Sequence, residues 1–237
     1  TADLRDEVDE FTFGPPVACI YNPLRYAWRL HEQYVRKWGA SPRRVLMMGM
    51  NPGPWGMAQT GVPFGEVEVV RDFLGLNGEV GRPDPEHPKR PVQGLACPRS
   101  EVSGRRLWGY FSEKFGGPEG FFAQHFVLNY CPLVFMEESA RNLSPNQWPA
   151  AEAAILFAAC DRWLIRMVDL YEPEWVVGVG GFARQKLDAL FGPKSPRESL
   201  GHVPAHIGTV LHPSPASPAA NRGWAAAAER QLLGLGV

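Results

Sequence analysis

Short apolar runs alternate with amphipathic stretches along the 237 residues of this chain. RVLMMGM at 44–50, FVLNYCPL at 126–133, WVVGVG at 175–180 and HIGTVL at 206–211 are mostly apolar runs of strand length, the pattern expected of strands buried on both faces. Leu24 to Trp38, Gly104 to Phe115, Pro149 to Tyr171, Phe182 to Phe191 and Trp224 to Leu235 carry helical spacing instead. In the third of these, Leu156, Ala159, Trp163, Met167 and Leu170 form a predicted core-facing stripe, and Pro149 suits a first helical turn. Strands alternating with helices imply βαβ units, hence an α/β fold with a parallel sheet and helices on both its faces. The segment 52–103 shows little periodicity and many Gly and Pro, so it is expected to wrap the rim of the sheet as functional loop.

Two of the runs end abruptly in proline-rich loops. RVLMMGM meets Asn51-Pro52-Gly53-Pro54, and HIGTVL meets His212-Pro213-Ser214-Pro215. If both are strands of one parallel sheet, their carboxyl ends bring Asn51 and His212 to the same rim, where open α/β sheets bind ligands. Asn-Pro-Gly is also an ordinary turn sequence. Here Gly49, Gly53 and Gly56 leave three of eight residues without side chains, which lets backbone N–H groups approach a ligand. Pro213, Pro215 and Pro218 stiffen the stretch after His212, giving either a projecting wedge or a polyproline linker. Phe64, between Pro63 and Gly65, is placed on a turn as a stacking ring. Asn129, inside an apolar run, needs hydrogen-bond partners if buried, and its amide suits the edge of a base.

The net charge of −1 argues against binding nucleic acid by bulk charge, but the average hides an asymmetry. Residues 1–10 carry a balance of −4, so the remainder carries +3, and Arg82, Lys89, Arg90, Arg99, Arg105 and Arg106 stand against three acidic residues between 82 and 106. That stretch is a candidate for meeting phosphates. Cys19, Cys97, Cys131 and Cys160 are widely spaced, which fits buried reduced thiols better than a disulfide framework, a zinc site or an iron–sulfur cluster. No metal and no cofactor is expected. With no signal-like amino end and no apolar run of spanning length, the expectation is a soluble protein without membrane association. Its expected place is the cytoplasm of a bacterium, toward which the alanine-rich helices lean, or a nucleus. One motif competes: Gly178-Val179-Gly180-Gly181-Phe182-Ala183 matches the dinucleotide pattern, with Glu198 about twenty residues on. It lies on the third run rather than the first, and a tight strand-to-helix turn explains it as well.

Longer motifs carry a resemblance. GMNPGPWGMAQTGVPFGEV at 49–67, HPKRPVQGLACPRSEVSGRRLWGYF at 87–111, FVLNYCPLVFM at 126–136 and HPSPASPAANRGW at 212–224, with YNPLRYAW at 21–28 and GVGGFARQ at 178–185, resemble the single-strand-selective monofunctional uracil-DNA glycosylases. The resemblance implies a three-layer α/β/α sandwich with a four-stranded parallel central sheet, formed as one domain over 21–237 after an acidic extension at 1–20. It implies that Asn51 positions the attacking water and that His212 stabilises the departing base. Met50, Phe64 and Asn129 would form the uracil pocket. Gly53 would leave room at the C5 position for oxidised uracils such as 5-hydroxymethyluracil, with Met57 helping to hold a displaceable water. Contacts to DNA would come from Ser139, Asn142 and Ser144 in the segment 139–153, and from Pro213, Ser214, Pro215, Ala216, Asn221 and Arg222 in the wedge. Ala216 stands where the family carries a long basic side chain, which implies a weaker preference for duplex. The partner implied is DNA, single- or double-stranded, bound by a monomer. A nucleotide-dependent oxidoreductase resting on GVGGFA, and a non-catalytic single-strand binder resting on the basic stretch, are the alternatives.

Overall fold

Four parallel strands form the larger sheet, and each comes from one of the four apolar runs: β2 (Val45–Gly49), β3 (His125–Asn129), β6 (Trp175–Val179) and β7 (His206–Val210), in the order β3-β2-β6-β7. The computed structural model describes residues 1–147, 150–195 and 201–237. All of β2 and β3 is buried, whereas β7 is buried only at Gly208 and Val210. The registers start together, Val45 opposite His125 and Trp175, and Trp175 opposite His206, so the strands also finish together. One rim therefore collects the chain after Gly49, Asn129, Val179 and Val210. The fold class is the expected one, a mixed α/β architecture around a four-stranded parallel sheet.

The chain packs as two compact units, one of Thr1–Tyr34, Asn51–Glu101 and Cys131–Trp163, the other of Val35–Met50, Val102–Tyr130 and Leu164–Val237. In the second, α8 (Gly181–Phe191) lies on β6 and β7, and α10 (Trp224–Leu235) lies on β7 and on α5 (Val102–Phe115). Trp108 and Phe111 of α5 pack on Phe121 of α6 (Pro118–Phe122), with ring centroids 5.4 and 4.5 Å apart. The short α9 (Pro218–Asn221) begins with its N-terminal amide of Ala220 donating to the Ser217 hydroxyl.

The first unit contains elements that periodicity does not anticipate. The acidic amino end forms α1 (Ala2–Asp9), which buries Leu4 and Val8 and is tied down by Asn22, whose Nδ2 donates to Arg5 O and Asp9 Oδ1. A second sheet is antiparallel, built from β1 (Cys19–Tyr21), β4 (Val134–Met136) and β5 (Asn142–Leu143) in the order β1-β4-β5. The run 126–133, read as one strand, ends at Asn129, and the chain resumes extended structure only at Val134, beyond Pro132, which has no N–H to donate to a ladder. The expected helix 24–38 is two, α2 (Pro23–Tyr26) and α3 (Trp28–Trp38), because the Tyr26 carbonyl accepts from Gly81 N–H instead of continuing the helical series. The segment 52–103 is not all loop: it holds α4 (Met57–Thr60), a π-helical turn at Val69–Phe73 and a 3₁₀ turn at Gly94–Ala96.

In α7 (Ala150–Tyr171) the buried stripe is Ala153, Leu156, Ala159, Cys160, Leu164 and Val168. The expected stripe was right at Leu156 and Ala159 and slipped by one position after them: Trp163 and Met167 are only half-buried, and Leu170 is 62% exposed. Pro149 lies outside the described residues, as does Glu198. All four cysteines are buried thiols. No helix among the described residues is long and apolar enough to cross a membrane.

Candidate active site

Asn51 follows β2 by two residues and is half-buried. Its Nδ2 donates to Leu133 O at 3.2 Å, which fixes the amide's orientation. Among the described residues Oδ1 accepts no hydrogen bond, so it remains an acceptor. The loop after it is held by Gln59, which is fully buried in α4: Nε2 donates to Pro54 O and Pro91 O, and Oε1 accepts from Gln93 N–H. Three bonds from one amide thus tie residues 51–56 to residues 91–93. Gly53 and Gly56 make room for the Glu101 carboxylate, since a Cβ on Gly53 would sit 2.8 Å from Glu101 Oε1. Met57 is buried at the start of α4. Phe64 is buried and has φ 51, a left-handed conformation that a bulky residue adopts only when its surroundings enforce it. Thr60 does the enforcing: its hydroxyl donates to Gly65 O and accepts from Val62 N–H, folding the turn around the ring.

In the second unit Met50 continues from β2, and Asn129 closes β3 opposite Gly49, its side chain buried. Tyr130 N–H donates to Gly49 O and extends that pairing. His212 follows β7 by two residues. Its Nδ1 accepts from Ser214 N–H at 3.1 Å, so in the neutral ring the proton sits on Nε2. Burial pushes its pKa below the ordinary histidine value, which keeps the ring neutral. Leu211, just before it, is clamped from α10: its N–H donates to Gln231 Oε1, and its carbonyl accepts from Trp224 Nε1 at 2.6 Å.

The dinucleotide-like glycines are explained by packing. A Cβ on Gly178 would lie 2.6 Å from Arg184 N in α8, and one on Gly180, whose φ is +93, would lie 3.0 Å from His212 Cβ. The first lets the helix approach the sheet, and the second makes space for the imidazole.

The loop after His212 is latched by Arg106 from α5. Its Nη1 donates to Pro213 O and Ser214 O, and its Nη2 donates to Asn221 Oδ1, while Asn221 Nδ2 donates to Pro215 O. Pro215 and Ala216 project at an exposed turn, Pro213 is buried, and Arg222 is exposed. Ser139, Asn142 and Ser144 belong to the first unit. Ser139 donates to Glu137 and accepts from Arg141 N–H, Asn142 lies on β5 with a buried Oδ1 that has no partner, and Ser144 N–H donates to Gln147 Oε1. Trp148 and Pro149, in the same expected DNA-contacting segment, lie outside the described residues. Gln59, Arg106, Gly180, Trp224 and Gln231 were not singled out for these roles from the sequence. Each acts through a contact distant in the chain, which no local pattern announces.

The family described as the Uracil DNA glycosylase superfamily matches residues 37–232. The single-strand selective monofunctional uracil DNA glycosylase of Bos taurus is 48% identical over 234 residues, spanning 99% of this chain and 84% of that protein. Those of Rattus norvegicus and Mus musculus are each 49% identical over 99% of this chain and cover 82% and 81% of their own lengths. The crystal structure of wild-type SMUG2 from Pedobacter heparinus matches 98% of this chain and 96% of its own with a TM-score of 0.67 at 17% identity, which shows a shared fold. The chain belongs to the uracil-DNA glycosylase superfamily and, within it, to the single-strand-selective monofunctional family.

Proposed function

We propose that this protein hydrolyses the N-glycosidic bond of uracil in DNA, with single-stranded DNA the favoured substrate, and that it also removes C5-oxidised uracils such as 5-hydroxymethyluracil. The observation that carries the reading is the state of His212, a neutral ring with its proton directed to Nε2 by the Ser214 amide. As the glycosidic bond breaks, positive charge grows on the sugar and negative charge on the base. A preorganised neutral donor stabilises that anion without having to lose a proton of its own. Asn51 cannot act as a general base. Anchored through Nδ2, it offers Oδ1 to orient a water toward the sugar. The nucleotide must be extruded from any stack for both groups to act, at a cost of a few kcal/mol. The turn at Pro215 and Ala216 is the wedge that offsets this cost. Met50, Phe64 and Asn129 hold the base, and Gly53 with Met57 admits the C5 substituent. Neither catalytic motif holds a lysine, so no Schiff-base lyase step follows base release.

The test is a uracil-containing oligonucleotide incubated with enzyme and then treated with alkali. Scission at the uracil is expected for the wild type, with a loss of about 10²–10³ in rate for His212→Leu and a comparable loss for Asn51→Ala. Near-wild-type turnover by both variants refutes the assigned roles.

A further inference from the structure

Trp55 lies four residues beyond Asn51, in the loop that Gln59 holds, and two guanidinium groups rest on its indole. The Arg90 carbon is 4.9 Å from the ring centroid and the Arg99 carbon 4.7 Å. Arg90 is half-buried and spends its Nε on Ala140 O, while Arg99 is exposed. Neither forms an ion pair among the described residues. Glu101, two positions after Arg99, packs its carboxylate on Gly53 and Gly56 instead, and Glu86 pairs with Arg82. Two like charges gathered around one aromatic ring without a counter-ion repel each other, and such an arrangement is stabilised by an anion at either guanidinium. Stacking holds a guanidinium flat and leaves its N–H edge directed outward, the geometry that meets two oxygens of a phosphate.

We infer that Arg99 and Arg90, stacked on Trp55, form a binding site for a phosphate of the DNA backbone, on the loop that carries Asn51. The site rests on the reading of this protein as a DNA enzyme. It differs from the wedge in doing a different job: the wedge fills a stack, whereas a stacked guanidinium registers the strand without reading its sequence. It also accounts for part of the basic stretch between Arg82 and Arg106 that the catalytic motifs leave unused.

Equilibrium binding of the full chain to a fluorescent single-stranded oligonucleotide lacking uracil, measured across a salt series, tests this without any turnover. Arg99→Gln is expected to weaken binding and to reduce the slope of log K against log salt by about 0.7, the share of one phosphate on a single strand. Arg82→Gln, which removes an exposed but paired cation, is expected to leave the slope unchanged. Trp55→Phe should fall between wild type and Arg99→Gln, because a smaller ring still supports the guanidinium. An unchanged slope for Arg99→Gln, an equal loss for Arg82→Gln, or no binding by the wild type each overturns the site. Binding with the expected slopes but no uracil release would leave the site standing and defeat the catalytic reading instead.

Discussion

The chemistry assigned to His212 depends on two conditions set by its neighbours. Burial lowers its pKa, so protonation is deferred below the usual range near 6.5, and the neutral donor persists as the solution is acidified through that value. The rate of uracil release is therefore expected to show no inflection at pH 6.5, the break appearing only at lower pH. A profile that falls off at 6.5 would contradict this. The second condition is room. Gly180→Ala would set a methyl 3.0 Å from His212 Cβ at φ +93 and ψ 169, where L residues are strained by about 1–3 kcal/mol. Displacing the ring by a fraction of an ångström is expected to lower kcat by up to about 10² with KM little changed. Circular dichroism of the variant would separate this from unfolding.

At the scale of elements, the loop 213–221 is not a loose linker. Arg106 grips both its ends, and Ser217 caps the short helix that closes it, so whatever stands at 216 is presented on a fixed turn. Ala216→Arg should accordingly raise the ratio of duplex to single-strand activity by lending the wedge a longer, charged tip. Equal ratios for the two proteins would show that the side chain at 216 does not reach the stack. The turn proposed as the wedge was legible in the sequence through its prolines and its place after an apolar run. The latch was not, because Arg106 sits 107 positions from Pro213 and reads locally as one more charge on a helix. The strands were legible because β2 and β3 are buried along their whole lengths and are mostly apolar. The antiparallel sheet was hidden because its strands are two or three residues long, too short for any period to declare itself. In α7 the stripe was misplaced by one position beyond Ala159, because tryptophan, methionine and leucine at 163, 167 and 170 compete in hydrophobicity with the residues that are buried.

For the whole molecule, two interior histidines tie stability to pH. His31 and His125 are both buried, and burial pushes each down to about 4 from an unfolded value of 6.5. Each is neutral in the folded protein while the unfolded chain takes up a proton, so the stability they allow is fully present above pH 6.5 and is lost as pH falls toward 4. The loss reaches about 3 kcal/mol per histidine at the low end. Urea midpoints are expected to fall between pH 7 and 5, before most carboxylates titrate, and a flat profile over that interval would exclude the effect. His125→Gln should flatten the decline. The residues proposed for catalysis were readable from sequence as positions, since Asn51 and His212 follow apolar runs. The groups that give them a defined tautomer, orientation and clearance were not, because they arrive from other parts of the chain.

The hold that Gln59 exerts on the Asn51 loop makes the protein vulnerable to chemical ageing. Hydrolysis of that one side-chain amide to a carboxylate, mimicked by Gln59→Glu, would turn a donor facing two carbonyl oxygens into a third acceptor at a buried position. A preparation altered at this single nitrogen is expected to lose excision while the parallel sheet still melts cooperatively, and mass spectrometry of old stocks alongside their activity would reveal whether shelf life is written there.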